Sequence, residues 1–290
     1  MRRKAPYMSD DVESLEPWTR PHYAFEPDYP GYDPPEDRTI PMWRYMDFTK
    51  FVSMLETRSL FFARADLLGD PFEGSLTRVE AERRNALEAR WRAEGQPTRL
   101  HATTQAKIRS EVSNSIVSCW HMNAVESMAM WRLYLTGREG LAVKTTFERF
   151  ASSFAKFDGH DKGFNEDLTD REILVHVGIV HYVDYDQVTP QRVPRILLKR
   201  RSFEHEREIR AVAMDRSWGN SPRFGPDGQV LTRFAAGGDW IPVDLAALIT
   251  AVYVAPEAKL WFAQLVKAVV RRYGFQFSVV QSDLDRDPVF

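Results

Sequence analysis

From Arg200 to Arg210 the chain reads Arg-Arg-Ser-Phe-Glu-His-Glu-Arg-Glu-Ile-Arg and runs directly into the apolar stretch Ala211-Val212-Ala213. No other segment packs charge as densely. With Glu208 opening a strand, side-chain alternation puts Glu206, Glu208 and Arg210 on one side. Two carboxylates and a guanidinium on one edge can form a structural ion-pair ladder. They can equally be a working pair of acids with separate roles, one ionised and held by arginine, the other hydrogen-bonding a substrate.

A second cluster, Trp43-Arg44-Tyr45, sets a cation between two rings ahead of a capped helix. Its plain reading is core aromatics with a surface arginine. Paired with a distant carboxylate site, it becomes a place where Arg44 binds phosphate while a ring system stacks on Tyr45 or Trp43. Asp70-Pro71-Phe72-Glu73 reads as a tight turn with Phe72 tucked into the core. Ser118, near Trp120, has no obvious partner base, and Cys119 reads as a buried small hydrophobe more readily than as a nucleophile. The histidines show no ligand spacing, since His176 and His181 on one predicted strand face opposite ways, so no metal is expected. No glycine-rich phosphate loop, nucleophile elbow or zinc-protease motif is present.

The 290 residues are 43% hydrophobic and 12% aromatic, enough for a sizeable core. The 39 basic and 41 acidic residues nearly cancel, giving a formal charge of -2, so no global field attracts nucleic acid or an anionic membrane. The single cysteine excludes an internal disulfide and fits a reducing, cytoplasmic setting. No apolar run approaches the roughly 18 residues of a membrane span.

The elements that must carry these residues can be read from pattern. Residues 1–41 hold eight of the 17 prolines together with Trp18, Tyr23, Phe25, Tyr29 and Tyr32. They read as an extended arm, part of which can pack along the body. From Met42 to residue 290 no linker or repeat intervenes, which implies one globular domain. Asp47 caps a helix carrying Phe48, Phe51, Val52 and Leu55, and Thr77 with Glu80 makes a capping box for a solvated helix to about Glu94. A helix through Ile108 and Val112 precedes the strand Ser115–Trp120. Ser127 starts a short helix, Gly140–Lys144 is a strand, and Thr146 caps a helix of Phe147, Phe150, Phe154 and Phe157. Ile173–Val183 and Ile209–Met214 are strand-like, and residues 215–239 read as an inserted loop or hairpin. A β-α-β pattern from Ile249 to Val280 closes the domain. The fold class implied is α+β, a single mixed α/β domain with a mostly antiparallel central sheet flanked by helices.

Several of these pieces, in this order, resemble one family. They are Trp43-Arg44-Tyr45, Phe61-Phe62 with Gly69-Asp70-Pro71-Phe72-Glu73, Ser118-Cys119-Trp120, and Met130-Trp131 with Tyr134 and Gly140. Lys199 with Phe203, Glu206, Glu208 and Arg210, and Gln281-Ser282-Asp283-Leu284, complete the set. The chain resembles, over about residues 42–288, the bacterial family catalogued as domain of unknown function 2971. It departs from the family pattern at Gly69 (usually Asn), Cys119 (usually Phe), and Phe203 and Ile209 (usually Trp). The resemblance makes Lys199, Asp70, Trp131, Tyr134 and Arg210 supporting residues of a common site; it supplies no activity.

An arginine on an early strand, a serine on a middle strand and Glu-x-Glu opening a late strand is also the order of one clade of ADP-ribosyltransferases. That more distant resemblance implies an ADP-ribosyltransferase-like fold and NAD as substrate. Arg44 and Ser118 would hold the dinucleotide, Tyr45 or Trp120 would stack on a ring, and Glu208 would stabilise the oxocarbenium-like charge as nicotinamide leaves. Glu206 would orient or deprotonate a macromolecular or nucleic-acid acceptor. The competing reading is a non-catalytic nucleotide- or peptide-binding module of a defence or stress system, with Glu206, Glu208 and Arg210 merely locking the sheet. A nuclease ranks last, because no Asp followed by Glu-x-Lys is found.

Overall fold

The computed structural model describes residues 22–26, 29–95, 100–135, 137–154, 172–187, 192–214, 224–226, 231, 232, 234, 237–284, 286, 288 and 289. Phe157, Trp18 and most of the insertion read over residues 215–239 lie outside them. Among the described residues no helix is long and apolar enough to cross a membrane.

Strand β1 (His22–Phe25) comes from the Pro-rich stretch and pairs in parallel with a later strand. Strand β2 (Pro41–Asp47) comes next, and the Asp47 side chain ends it by accepting the Lys50 amide at 2.8 Å, which starts α1 (Phe48–Thr57). After β3 (Ser59–Arg64), the capping box of Thr77 and Glu80 starts α2 (Arg78–Ala93), which has no buried residue, as its mixed charge implies. Next come α3 (Leu100–Ser113), β4 (Ser115–Met122), α4 (Met128–Tyr134), β5 (Gly140–Thr146) and α5 (Phe147–Ser152). Ser127 and Thr146 cap α4 and α5. The helix at Phe147 is shorter than its phenylalanine spacing predicts, yet Phe154 remains buried beyond its end.

The strand-like run Ile173–Val183 is two strands, β6 (Glu172–Ile179) and β7 (His181–Val183). Then come β8 (Leu198–Arg200), a 3-10 turn (Arg201–Glu206), β9 (Glu208–Met214), β10 (Gly238–Pro242), α6 (Leu245–Leu248), β11 (Ala251–Val254), α7 (Leu260–Arg272) and β12 (Ser278–Gln281).

The main sheet runs β1-β6-β9-β4-β2-β5-β11-β12, with β3 and its partner β10 branching from β4. Among the described residues, the parallel pairs of this sheet are those at its edges, β1·β6 and β11·β12. The domain is therefore mixed α/β with a mostly antiparallel central sheet flanked by helices. Residues 29–35 of the stretch read as an arm lie against the body: Tyr32 is buried, and Tyr29 stacks on His176 with ring centroids 4.2 Å apart.

Register assigns every residue a face. On the first, β4 and β9 contribute Ile116, Ser118, Trp120, Ile209, Ala211 and Ala213, and Arg44 projects there from β2. Except for Ser118 and Arg44, these residues belong to the main apolar core with α1, α5, α6 and α7. The second face carries Cys119, His121, Glu208 and Arg210, with Trp43 and Tyr45 from β2. It is covered by α4, by the 3-10 turns and by the small parallel ribbon β7·β8.

The sheet has one irregularity, at β4. The N-terminal half of this strand pairs with β3, at Ile116 and Val117, whereas its end pairs with β2, at His121 and Met122. Between those points the sheet forks, leaving a gap opposite Ser118, Cys119 and Trp120.

Candidate functional site

The charged run of the sequence becomes a buried cluster on the second face. Glu206 ends the 3-10 turn, Arg207 takes a left-handed conformation at φ 41°, and Glu208 begins β9. The two glutamates meet not through strand alternation, as the sequence implies, but because this left-handed residue turns the chain between them. A non-glycine residue held there costs about 1–2 kcal/mol. The turn is fixed by Met122, whose amide donates to the Arg207 carbonyl at 2.9 Å, and by His121, whose ring Nδ1 lies 2.5 Å from the Glu206 carbonyl.

Lys199, delivered by β8, joins the carboxylates: its Nζ is 2.6 Å from Glu206 Oε2 and 3.0 Å from Glu208 Oε2. Arg210 grips Glu208 with two bonds, Nε to Oε1 at 2.7 Å and Nη2 to Oε2 at 3.0 Å, and gives a third to the Ile196 carbonyl at 2.7 Å. Gly178, the β6 neighbour of Arg210, makes room for this packing. A Cβ there would lie 2.7 Å from Leu197 and 3.1 Å from the Tyr32 backbone. Burial alone would raise the Glu208 carboxyl, but Arg210, followed by Lys199 and the Cys119 thiol, holds it down to about 2. Burial acts to discharge Lys199 and Arg210, but the surrounding acids, Glu208 foremost with Glu206 and Glu73 for Lys199 and with Cys119 and Glu73 for Arg210, together raise both.

Sequence reasoning missed the fifth member. The turn at Asp70 exists, but Phe72 is not tucked into the core: it is 41% exposed and stacked under Arg200 at 4.6 Å. Glu73 points inward instead, with Oε2 2.5 Å from Arg210 Nη2 and Oε1 3.6 Å from Lys199 Nζ. The only cue in the sequence is an acid at the end of a turn that otherwise looks complete. Asp70 supports from outside, accepting from Arg200 Nε at 2.9 Å and from the Phe72 amide at 3.1 Å.

The second arginine is held differently. Arg44 lies in the fork, Nη1 2.8 Å from Ser118 Oγ and Nη2 2.9 Å from the Phe61 carbonyl of β3. Trp120 Nε1 donates to the same hydroxyl at 3.1 Å, and the guanidinium lies 5.8 Å from the Trp120 ring. These acceptors are neutral, and among the described residues no carboxylate pairs with Arg44. Burial lowers its guanidinium from the ordinary value; nearby Cys119 and Tyr134 act the other way.

Arg44, Ser118 and Glu208 therefore do not all share one face. Ser118 pairs with Ala211 and Glu208 with His121, so the two side chains project to opposite sides of the sheet. What spans the separation is Cys119 with Tyr134. The Tyr134 phenol feels Glu206, Glu208, Cys119 and Lys199, and Arg44 feels both Tyr134 and Cys119.

The aromatic residues also change roles. Trp120 is packed against Phe150 in the main core, and Tyr45 is buried edge-on to Trp131 with its hydroxyl accepting the Ser127 amide at 2.8 Å. Neither ring has a free face for stacking. Trp131 donates to Glu126 at 2.8 Å and supports Tyr45 from α4. Tyr134, on the last turn of α4 and 47% exposed, is the aromatic that the site presents to solvent.

Among the described residues no group of three or more His, Cys, Asp or Glu side chains is placed to hold a metal ion. Neither the comparison with protein-family models nor that with curated proteins finds a match.

Proposed function

We propose that the chain is an NAD-dependent ADP-ribosyltransferase-like enzyme of the family its motifs resemble. The observation that carries this reading is Arg44, a half-buried guanidinium whose hydrogen bonds go only to neutral acceptors. A cation partly withdrawn from water without an anion is costly unless a ligand supplies the charge, and a pyrophosphate does so in the geometry that guanidinium favours. The order of the strands adds support: β2, β4 and β9, bearing Arg44, Ser118 and Glu208, are consecutive in the sheet.

In this reading Ser118 holds Arg44 rather than touching substrate, and Tyr134 supplies the stacking ring in place of Tyr45 or Trp120. The bond between ribose and nicotinamide breaks with its electron pair leaving on nicotinamide. The ionised Glu208 offsets the positive charge that develops on the ribose. The acceptor forms the new bond at that carbon and gives its proton to Glu206.

Incubation of the purified protein with NAD is expected to release nicotinamide or add the mass of ADP-ribose to an acceptor, and NAD is expected to raise the melting midpoint. Absence of all three overturns the reading. A raised midpoint without release favours the nucleotide-binding module. The full engagement of Glu208 by Arg210, Lys199 and Cys119 is the observation on its side.

A further inference from the structure

The buried cluster contains three carboxylates, on Glu73, Glu206 and Glu208, and two cations, on Lys199 and Arg210. With every member charged it carries one surplus negative charge where water cannot screen it, an arrangement that a buried site relieves by taking up a proton. The two cations are not shared evenly. Glu208 receives both arms of Arg210 and a bond from Lys199, and Glu206 receives the shortest Lys199 contact. Glu73 is left with a 3.6 Å approach to Lys199 and a 2.5 Å contact from a single Arg210 nitrogen that Glu208 also engages.

We infer that Glu73 is the proton-bearing acid of this cluster and a positioning residue for the site: as a neutral side chain it leaves Arg210 and Lys199 wholly to Glu208 and Glu206. The inference rests on the ADP-ribosyltransferase reading only in calling this a reaction site; where the proton sits does not depend on NAD.

The groups that face Glu73 agree. Burial raises its carboxyl above the ordinary 4.5, Arg210 and Lys199 offset this only in part, and Glu208 adds to the rise. Cys119, from β4, and Tyr185, beyond β7, are neutral neighbours whose protons burial and the surrounding acids hold in place; Tyr185 is pushed up to about 12. Arg200 is taken by Asp70 on the outer side, so it adds no cation at Glu73.

A carboxyl raised in the folded state binds more protons folded than unfolded, so its contribution to stability falls as pH rises from 4.5 through the raised folded value. Glu73→Gln removes that fall, because glutamine has the shape of the protonated acid and never ionises.

The test is infrared spectroscopy of the full chain at neutral pH, with thermal melting from acid to neutral pH. The carbonyl band of a buried protonated carboxylic acid is expected in the native protein and absent in Glu73→Gln. The melting midpoint of Glu73→Gln is expected to lie within about 2 °C of the native value on the acid side and to gain on it as pH rises. A native protein without that band, a band that survives in Glu73→Gln, or a Glu73→Gln chain that fails to fold overturns the inference. A failed NAD assay leaves all of these outcomes intact.

Discussion

Two arginines on neighbouring parts of one sheet, Arg210 buried and Arg44 half-buried, are treated in opposite ways. Arg210 sits among carboxylates that answer its charge, and Arg44 sits among a hydroxyl, a carbonyl and a ring that do not. The first arrangement is closed: every strong donor has an ionic or hydrogen-bonded partner within the chain. The second is open, because the desolvation of Arg44 is only partly compensated by neutral dipoles. The densest charge in the sequence thus marks the region most occupied with holding the protein together. The sparser region is the one with valence to spare for a ligand.

The contrast is broken most severely by Arg210→Met. It leaves Glu208 without its main counter-charge, and the expected loss is about 3–5 kcal/mol by chemical denaturation, with little recovery on adding NAD. A loss below about 1 kcal/mol would show that the cluster does not lock the sheet. Arg44→Gln is expected to do the reverse. Removing an uncompensated cation together with two neutral hydrogen bonds should change stability by only about 1 kcal/mol, while abolishing the NAD-induced rise in melting midpoint. A stability loss as large as that of Arg210→Met would erase the distinction between the two sites. Ser118→Ala is the finest probe. It frees one arm of Arg44 and the Trp120 indole for roughly 1 kcal/mol, and should weaken the NAD response without eliminating it.

Much of the scaffold is legible because its signals are local. Asp47, Thr77 with Glu80, Ser127 and Thr146 start helices where their side chains can accept the exposed amides, whatever lies beyond. Alternation likewise places Glu208 and Arg210 on one face, and the resemblance brings Lys199 to the carboxylates. The errors arise where long-range competition outweighs a local preference. Phe72, apolar and in a turn, is expected inside. Glu73 takes that place beside Lys199 and Arg210, while Arg200 covers the phenylalanine from outside.

Tyr45 and Trp120 read as stacking platforms from their types alone. No local pattern reveals that Trp131 and Phe150 already cover them. The opposite orientation of Ser118 and Glu208 depends on the register between β4 and β9, which spacing within either strand does not determine.

The fork at β4 gives Arg44 a mechanical role. Its guanidinium is anchored to the Phe61 carbonyl of β3 and the Ser118 hydroxyl of β4, and its own backbone belongs to β2. An anion that pulls on this one side chain therefore loads three strands at once, in the middle of the sheet rather than at its rim. Occupancy of the fork becomes a tension shared by β2, β3 and β4, so a small displacement at the guanidinium reaches α1, which joins β2 to β3, without passing through a loop.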